Sequence, residues 1–169
     1  MRLFNRKKAA ISMKEQIVSF LERIEYTYRF IEENEQKIVI QTGVALTVGN
    51  SESFIVINHE FNLVEISAYS PVKVPENKRL EVAKFLDLAD HVSYIGNLQL
   101  NHRDGSIRCK TYFCYGKENL EQNILSTNFF GAFNMIERYI PGVMRITYGG
   151  KDADSAIAEI NGEINPSNN

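Results

Sequence analysis

Residue types that usually carry chemistry are scarce in this chain. Its 169 residues include two cysteines and three histidines, no apolar run long enough to cross a bilayer, and no large surplus of either charge. A formal net charge of −2 argues against a protein whose main task is gripping phosphate backbones. Cys109 and Cys114 fall on opposite faces of one predicted strand. At ~3.3 Å per residue they stand roughly 16 Å apart, beyond the ~7 Å over which a disulfide closes. They are expected to be reduced packing residues.

His59, His91 and His102 lie in or near predicted turns and strand ends, and none shares a helix face with a second metal-binding side chain. His102 has the parity of an apolar strand face, yet it reads best as a hydrogen-bonded loop-end residue. There is no Walker loop, no G-x-G-x-x-G and no G-x-S-x-G. Gly149-Gly150 reads as a helix stop, Asp152 and Asp154 as caps of a final helix, and Asp87 and Asp90 as the exposed end of an earlier one. No catalytic, cofactor-binding or metal-binding residue is assigned, and the chain is expected not to be an enzyme.

What is present is an ordinary globular composition, 44% hydrophobic and 24% charged, with length enough for one core. Residues 1–11, with Arg2, Arg6, Lys7 and Lys8, form a flexible basic start. Paired with Phe4, those cations could also anchor the chain to an anionic surface. No signal-peptide core follows, so the expected compartment is the cytoplasm. Residues 12–160 make a single domain, and 161–169 a disordered polar tail.

Ser12-Met-Lys-Glu15 is a capping box that opens a first helix, with Met13, Ile17, Phe20, Leu21 and Ile24 on one stripe. Four strands follow as an antiparallel meander: Tyr26 to Phe30, Ile38 to Val48, Phe54 to Ile57 and Leu63 to Ala68. Gly43 marks a bulge or a close backbone approach, and Gly49-Asn50-Ser51 a turn. Pro71 and Pro75 end the sheet run, and a helix follows whose stripe is Val82, Phe85, Leu86 and Ala89, broadened by Leu80.

The chain is organised around the stretch Val92 to Tyr115, which reads as a hairpin turning at Asp104-Gly105. Apolar faces on both strands require pairs whose numbers sum to an odd value, such as Leu100 opposite Cys109 and Leu98 opposite Thr111, and hence a two- or four-residue loop. Its polar side carries Asn97, Gln99, Arg108 and Lys110 with Tyr112, a mixture suited to RNA or an acidic peptide. Only one aromatic is present there, so a solvated face is favoured and no nucleic-acid partner is expected. A helix over 118–138 has two apolar stripes, one through Leu120, Ile124, Thr127, Gly131 and Met135, the other through Leu125, Phe129, Ala132, Phe133 and Ile136. Pro141-Gly142 starts a short segment to Tyr148, and a weak helix spans Ala153 to Ile160. The order α-β-β-β-β-α-β-β-α predicts an α+β fold, a mainly antiparallel sheet of about six strands with helices packed on it.

That order, with Tyr69-Ser-Pro-Val-Lys-Val-Pro-Glu76, Tyr94-Ile-Gly-Asn-Leu-Gln-Leu100, Asp104-Gly-Ser-Ile-Arg108, Pro141 through Tyr148-Gly-Gly150 and Asp154-Ser-Ala-Ile157, resembles the YbjN family, putative bacterial sensory transduction regulators. The family's usual asparagine shortly before the hairpin is replaced in the Asp90-His91 region. The resemblance implies a fold like that of type III secretion chaperones, which often form homodimers and hold extended client segments, and it transfers no catalytic residues.

The expected function is a non-enzymatic regulatory or chaperone-like interaction module, a homodimer with a protein client as yet undefined. Phe129, Phe133, Met135 and Ile136 are its candidate interface, because one helix stripe suffices to cover a sheet. Alternatively, residues 141–160 fold back over the second stripe within the chain. The competing function is a small-molecule sensor or enzyme with a pocket between helix and sheet.

Overall fold

The computed structural model describes residues 11–116 and 120–162. Residues 1–10 of the predicted basic start, the helix start expected near Glu118 and residues 163–169 of the tail lie outside them.

The capping box forms as read. Ser12 Oγ accepts the Glu15 amide, the Glu15 carboxylate accepts the Ser12 N–H at 2.7 Å, and these bonds hold the Glu15 carboxyl below its ordinary pKa. Helix α1 (Met13–Arg23) buries Met13, Ile17, Phe20 and Leu21. Glu25, at φ 59°, then turns the chain into the sheet.

Strands β1 (Tyr28–Glu33), β2 (Lys37–Leu46), β3 (Gly49–Asn58), β4 (Leu63–Lys73), β5 (Asn97–Leu100) and β6 (Ser106–Cys114) form a six-stranded antiparallel sheet in the order β1-β2-β3-β4-β6-β5. The first four are the expected meander. The hairpin adds its second strand next to β4 and leaves its first at the edge. The fold is α+β.

Several boundaries differ from the sequence reading, each for a physical reason. The β2–β3 turn is Thr47-Val48, with Leu46 paired to Gly49 at φ +123°. Its anchor is distant in sequence: the Glu137 carboxylate accepts the Thr47 N–H at 3.1 Å. Gly43 carries no bulge; it sits in regular register, where a Cβ would stand 3.0 Å from the Ser51 carbonyl oxygen. The bulge is in β1, between Phe30 and Glu32. Strand β4 runs on through Pro71, because the ladder to β6 is interrupted between Tyr69 and Lys73 and needs no donor there.

After a short 3₁₀ turn at Glu76–Lys78, α2 (Arg79–His91) buries Val82, Phe85, Leu86 and Ala89. Leu80 does not broaden that stripe; it is 84% exposed. The hairpin's first strand begins at Asn97, not Val92, because α2 reaches His91 and Gly96 turns at φ +79°, with no room for a Cβ against Cys109 Sγ. Val92 and Tyr94 are exposed. The odd-sum parity holds, but the pairs are Leu98 with Cys109 and Leu100 with Ile107 around a loop closed by the Asn101–Ser106 backbone bond. That register differs from the expected one by two residues and therefore keeps every side chain on its face.

Helix α3 (Gln122–Thr147) is continuous through Pro141, where a break was expected. An internal proline costs ~3 kcal/mol. Tyr139, Ile140, Val143 and Ile146 are buried around it, and at roughly 1.5–3 kcal/mol for each buried side chain that packing outweighs the cost. Gly149 and Gly150, the latter at φ +69°, follow the helix as its stop. Asp152 caps α4 (Ala153–Asn161) by accepting the Ser155 N–H at 2.8 Å, and Gly162 ends it at φ 76°. Asn161 and Gly162, read as the start of the tail, thus close a helix. The Glu81 carboxylate accepts the Ala153 N–H at 2.6 Å and Lys84 pairs with Asp154, tying α4 to α2.

The four helices pack together on one face of the sheet: α1 touches α3 through Phe20 and Phe129, and α2 and α4 both contact α3. Under them runs a row of small side chains, Thr42, Ser53, Ala68 and Cys109, aligned across β2, β3, β4 and β6. Small side chains there leave room for α3 to lie close on β4 and β6.

Candidate binding face of the sheet

Strand alternation that buries Ile40, Ile55, Ile57, Ile66 and Ile107 under the helices sends the intervening residues to the opposite face. No described helix crosses that face. Asn97 pairs with Lys110 and Gln99 with Arg108, so the hairpin residues singled out in the sequence do stand together. Strand β4 extends each row: Ser67 lies beside Lys110, Tyr69 beside Arg108 and Glu65 beside Tyr112. Strand β3 adds Phe54 beside Ser67 and Val56 beside Glu65. These β3 and β4 residues were not read as part of the site, since the β4–β6 pairing joins segments some 40 residues apart; the alternation of β4 was the signal that could have found them. Phe54 and Tyr69 meet edge to face at 5.8 Å, and Tyr112 is 61% exposed.

Charge on this face is uneven. Lys110 Nζ sits 2.6 Å from the Glu65 carboxylate, whereas Arg108 Nη1 is 3.9 Å from it. Glu65 is therefore chiefly the lysine's counter-ion. Arg108 is held by neutral groups instead, its Nε donating to Gln99 Oε1 at 2.9 Å and its Nη1 lying 3.5 Å from the Tyr69 hydroxyl.

Beside it the β4 interruption opens a notch of about 330 Å³ lined by Tyr69, Gln99, Leu100, Asn101, Ser106 and Arg108. Its rim is stiff. Val74 N–H donates to the Gly105 carbonyl at 2.8 Å, a Cβ on Gly105 would lie 2.0 Å from the Val74 oxygen, and Arg79 Nη1 donates to the His102 carbonyl at 2.9 Å. The Asp104 carboxyl is held below its ordinary pKa by the Ser106 backbone and hydroxyl donors.

The other sequence candidates fall elsewhere. Phe129, Phe133, Met135 and Ile136 are 0%, 3%, 8% and 0% exposed within the single chain. Phe129 is enclosed by the rings of Phe20, Tyr26 and Phe133. Met135 Sδ accepts from Ser93 Oγ at 3.2 Å, and Ile95 lies over Gly131 so closely that a Cβ there would come within 2.6 Å of it. The Gly131–Met135 end of the second stripe is thus covered within the chain by the 93–95 turn, whereas Ile124, 37% exposed, and Thr127 stay open, and the four residues expected at a dimer interface are buried in the single chain.

His59 Nδ1 pairs with the Tyr115 hydroxyl at 3.0 Å, His91 ends α2, and His102 is exposed in the hairpin loop rather than on the apolar face. Asp90 is not an exposed helix end; it is partly buried and accepts the Leu98 N–H at 2.9 and 3.0 Å. Cys109 is buried and Cys114 exposed, both unbridged. A second cleft, about 160 Å³ and lined by Gln16, Ser19, Phe20, Arg23, Leu120 and Leu125 among others, lies between α1 and the start of α3 rather than between helix and sheet.

Among the described residues no three His, Cys, Asp or Glu side chains gather closely enough to hold a metal ion, and no helix is long and apolar enough to cross a membrane. No protein-family model matches the chain, and no curated protein matches it.

Proposed function

We propose that the chain is a cytoplasmic, non-enzymatic interaction module of regulatory or chaperone-like type, as the YbjN resemblance implies, and that it offers the helix-free face of its sheet to a protein partner. One observation carries this reading. Each described helix turns its main apolar stripe to the core, while the opposite face of the sheet keeps Phe54, Val56, Tyr69 and Tyr112 among polar neighbours. Aromatic side chains with a polar tip, set among satisfied charges, suit a reversible protein contact.

Capture from native lysate with matched variants tests it. Proteins held by the wild type should be lost with Tyr112→Glu and kept with Tyr94→Glu, an exposed tyrosine on the far side of the hairpin's entry turn. Equal retention by both variants would refute the face. The competing small-molecule reading is favoured by the notch at Arg108, whose volume of about 330 Å³ and converging polar groups suit a small ligand.

A further inference from the structure

We infer that the notch beside Arg108 is a receptor for a single carboxylate group, and, resting on the partner reading above, that an acidic side chain of an extended protein segment supplies it. The polar groups of the notch divide into those already hydrogen-bonded and those still open. The acceptors lining the notch are in use: Gln99 Oε1 takes Arg108 Nε at 2.9 Å, and Asn101 Oδ1 takes the Arg103 N–H at 2.9 Å. The donors are not. Arg108 Nη2, the Tyr69 hydroxyl hydrogen and the Gln99 side-chain amide meet no protein acceptor among the described residues.

A concavity that presents donors and has committed its acceptors selects a ligand rich in acceptors. The one full positive charge in it is a guanidinium whose nearest carboxylate is 3.9 Å away and already bound to Lys110. A guanidinium fork fits the two oxygens of a carboxylate. Gln99 fixes the roll of that fork by holding Nε, so the geometry exists before any ligand arrives.

Two acidic neighbours lie close by, each with a lysine counter-ion: Glu65 with Lys110 at 2.6 Å and Asp104 with Lys73 at 3.9 Å. Neither therefore cancels the charge of Arg108. One guanidinium with one full charge matches a monoanionic carboxylate better than a dianionic phosphate.

The test uses the full chain, isotope-labelled, titrated at constant ionic strength with acetate, inorganic phosphate, and a short extended peptide bearing one glutamate or one glutamine. The glutamate peptide should shift the Arg108 Nε–H signal and the Gln99, Asn101 and Ser106 amides saturably, with the glutamine peptide at least about tenfold weaker. Arg108→Gln should abolish the effect, and Tyr69→Phe should weaken it roughly threefold if a single neutral donor is lost. Absence of saturation, equal binding of the two peptides, or tighter binding of phosphate than of acetate overturns the inference. Acetate binding as tightly as the glutamate peptide overturns the protein source. If Arg108→Gln does not fold, the wild-type titration and Tyr69→Phe decide alone. The lysate comparison with Tyr112→Glu is independent of these outcomes, so the face can stand while the notch falls.

Discussion

Asp90 sits in the last turn of α2, the end of a helix where its dipole disfavours a negative charge. Burial raises its pKa, while the Leu98 N–H and the Asn97 side chain act to lower it. The folded protein therefore holds this proton to higher pH than the unfolded chain does. The group's contribution to stability is present below the unfolded value and is lost as pH rises through the folded one. Asp90→Asn keeps an acceptor for Leu98 without the charge, so it should melt at least as high as wild type at pH 7 and show a flatter pH profile. Asp90→Ala leaves that buried N–H unpaired and should cost about 1–3 kcal/mol. Denaturant melts at pH 4, 5 and 7 check both, and equal damage from the two variants would mean that the acceptor is not what matters.

The two thiols should also separate. Burial, helped by the charge of Asp90, pushes Cys109 up to about 12, whereas Cys114 is exposed. Alkylation of the native protein should label one thiol quickly and the second only on unfolding, and reducing agent should leave the melt unchanged. The opposite faces were legible in the sequence, since five positions along a strand reverse the face, but the exposure of Cys114 overturns its expected role as a packing residue. The role of Asp90 was not legible, because it depends on a turn at 92–96 that brings Leu98 back to the helix end.

Among the elements, the hairpin tests face assignment and α3 tests fit. Leu98 is 6% exposed on the helix side, and Leu98→Ala should cost ~2–5 kcal/mol. Gln99→Ala on the open face should stay within about 1 kcal/mol, the worth of its bond to Arg108. Equal losses would reverse the faces. In α3, Gly142 faces the fully buried ring of Phe85, where a Cβ would come within 2.3 Å. Helix propensity alone would favour Gly142→Ala by up to ~1 kcal/mol. Overpacking against a ring with nowhere to move should reverse that sign and destabilise by about 1–3 kcal/mol. Gly116→Ala meets nothing within 4 Å among the described residues and should lie within about 0.5 kcal/mol of wild type. Thermal melts of the two variants make the comparison. The continuity of α3 through Pro141 belongs here as well: local preference says break, and burial on either side of the proline says continue.

At the scale of the molecule, all the described helices lie on one side of a single sheet, and the two sides have different uses. The helix side is closed. A charge placed at Phe133, 3% exposed between the rings and the sheet, should abolish cooperative folding whatever the protein concentration. If Phe133→Asp instead melted like wild type and sedimented as a smaller species, α3 would be an association surface after all. The open side carries the charged rows and the Arg108 notch, so variants there should alter binding while leaving the melt nearly in place.

The residues by themselves determined the α+β class, the capping box at Ser12, the four-strand meander, the hairpin's parity and the cap at Asp152. Each of these rests on interactions between neighbours in the chain or on the two-residue period of a strand, and both are written locally. Only the tertiary structure decided the rest. The β4–β6 pairing, the cover of Gly131 by Ile95, the passage of α3 through Pro141 and the gathering of Tyr69, Gln99 and Arg108 into one notch all join residues distant in sequence. Such contacts are chosen by the free energy of packing the whole core, which no local pattern encodes.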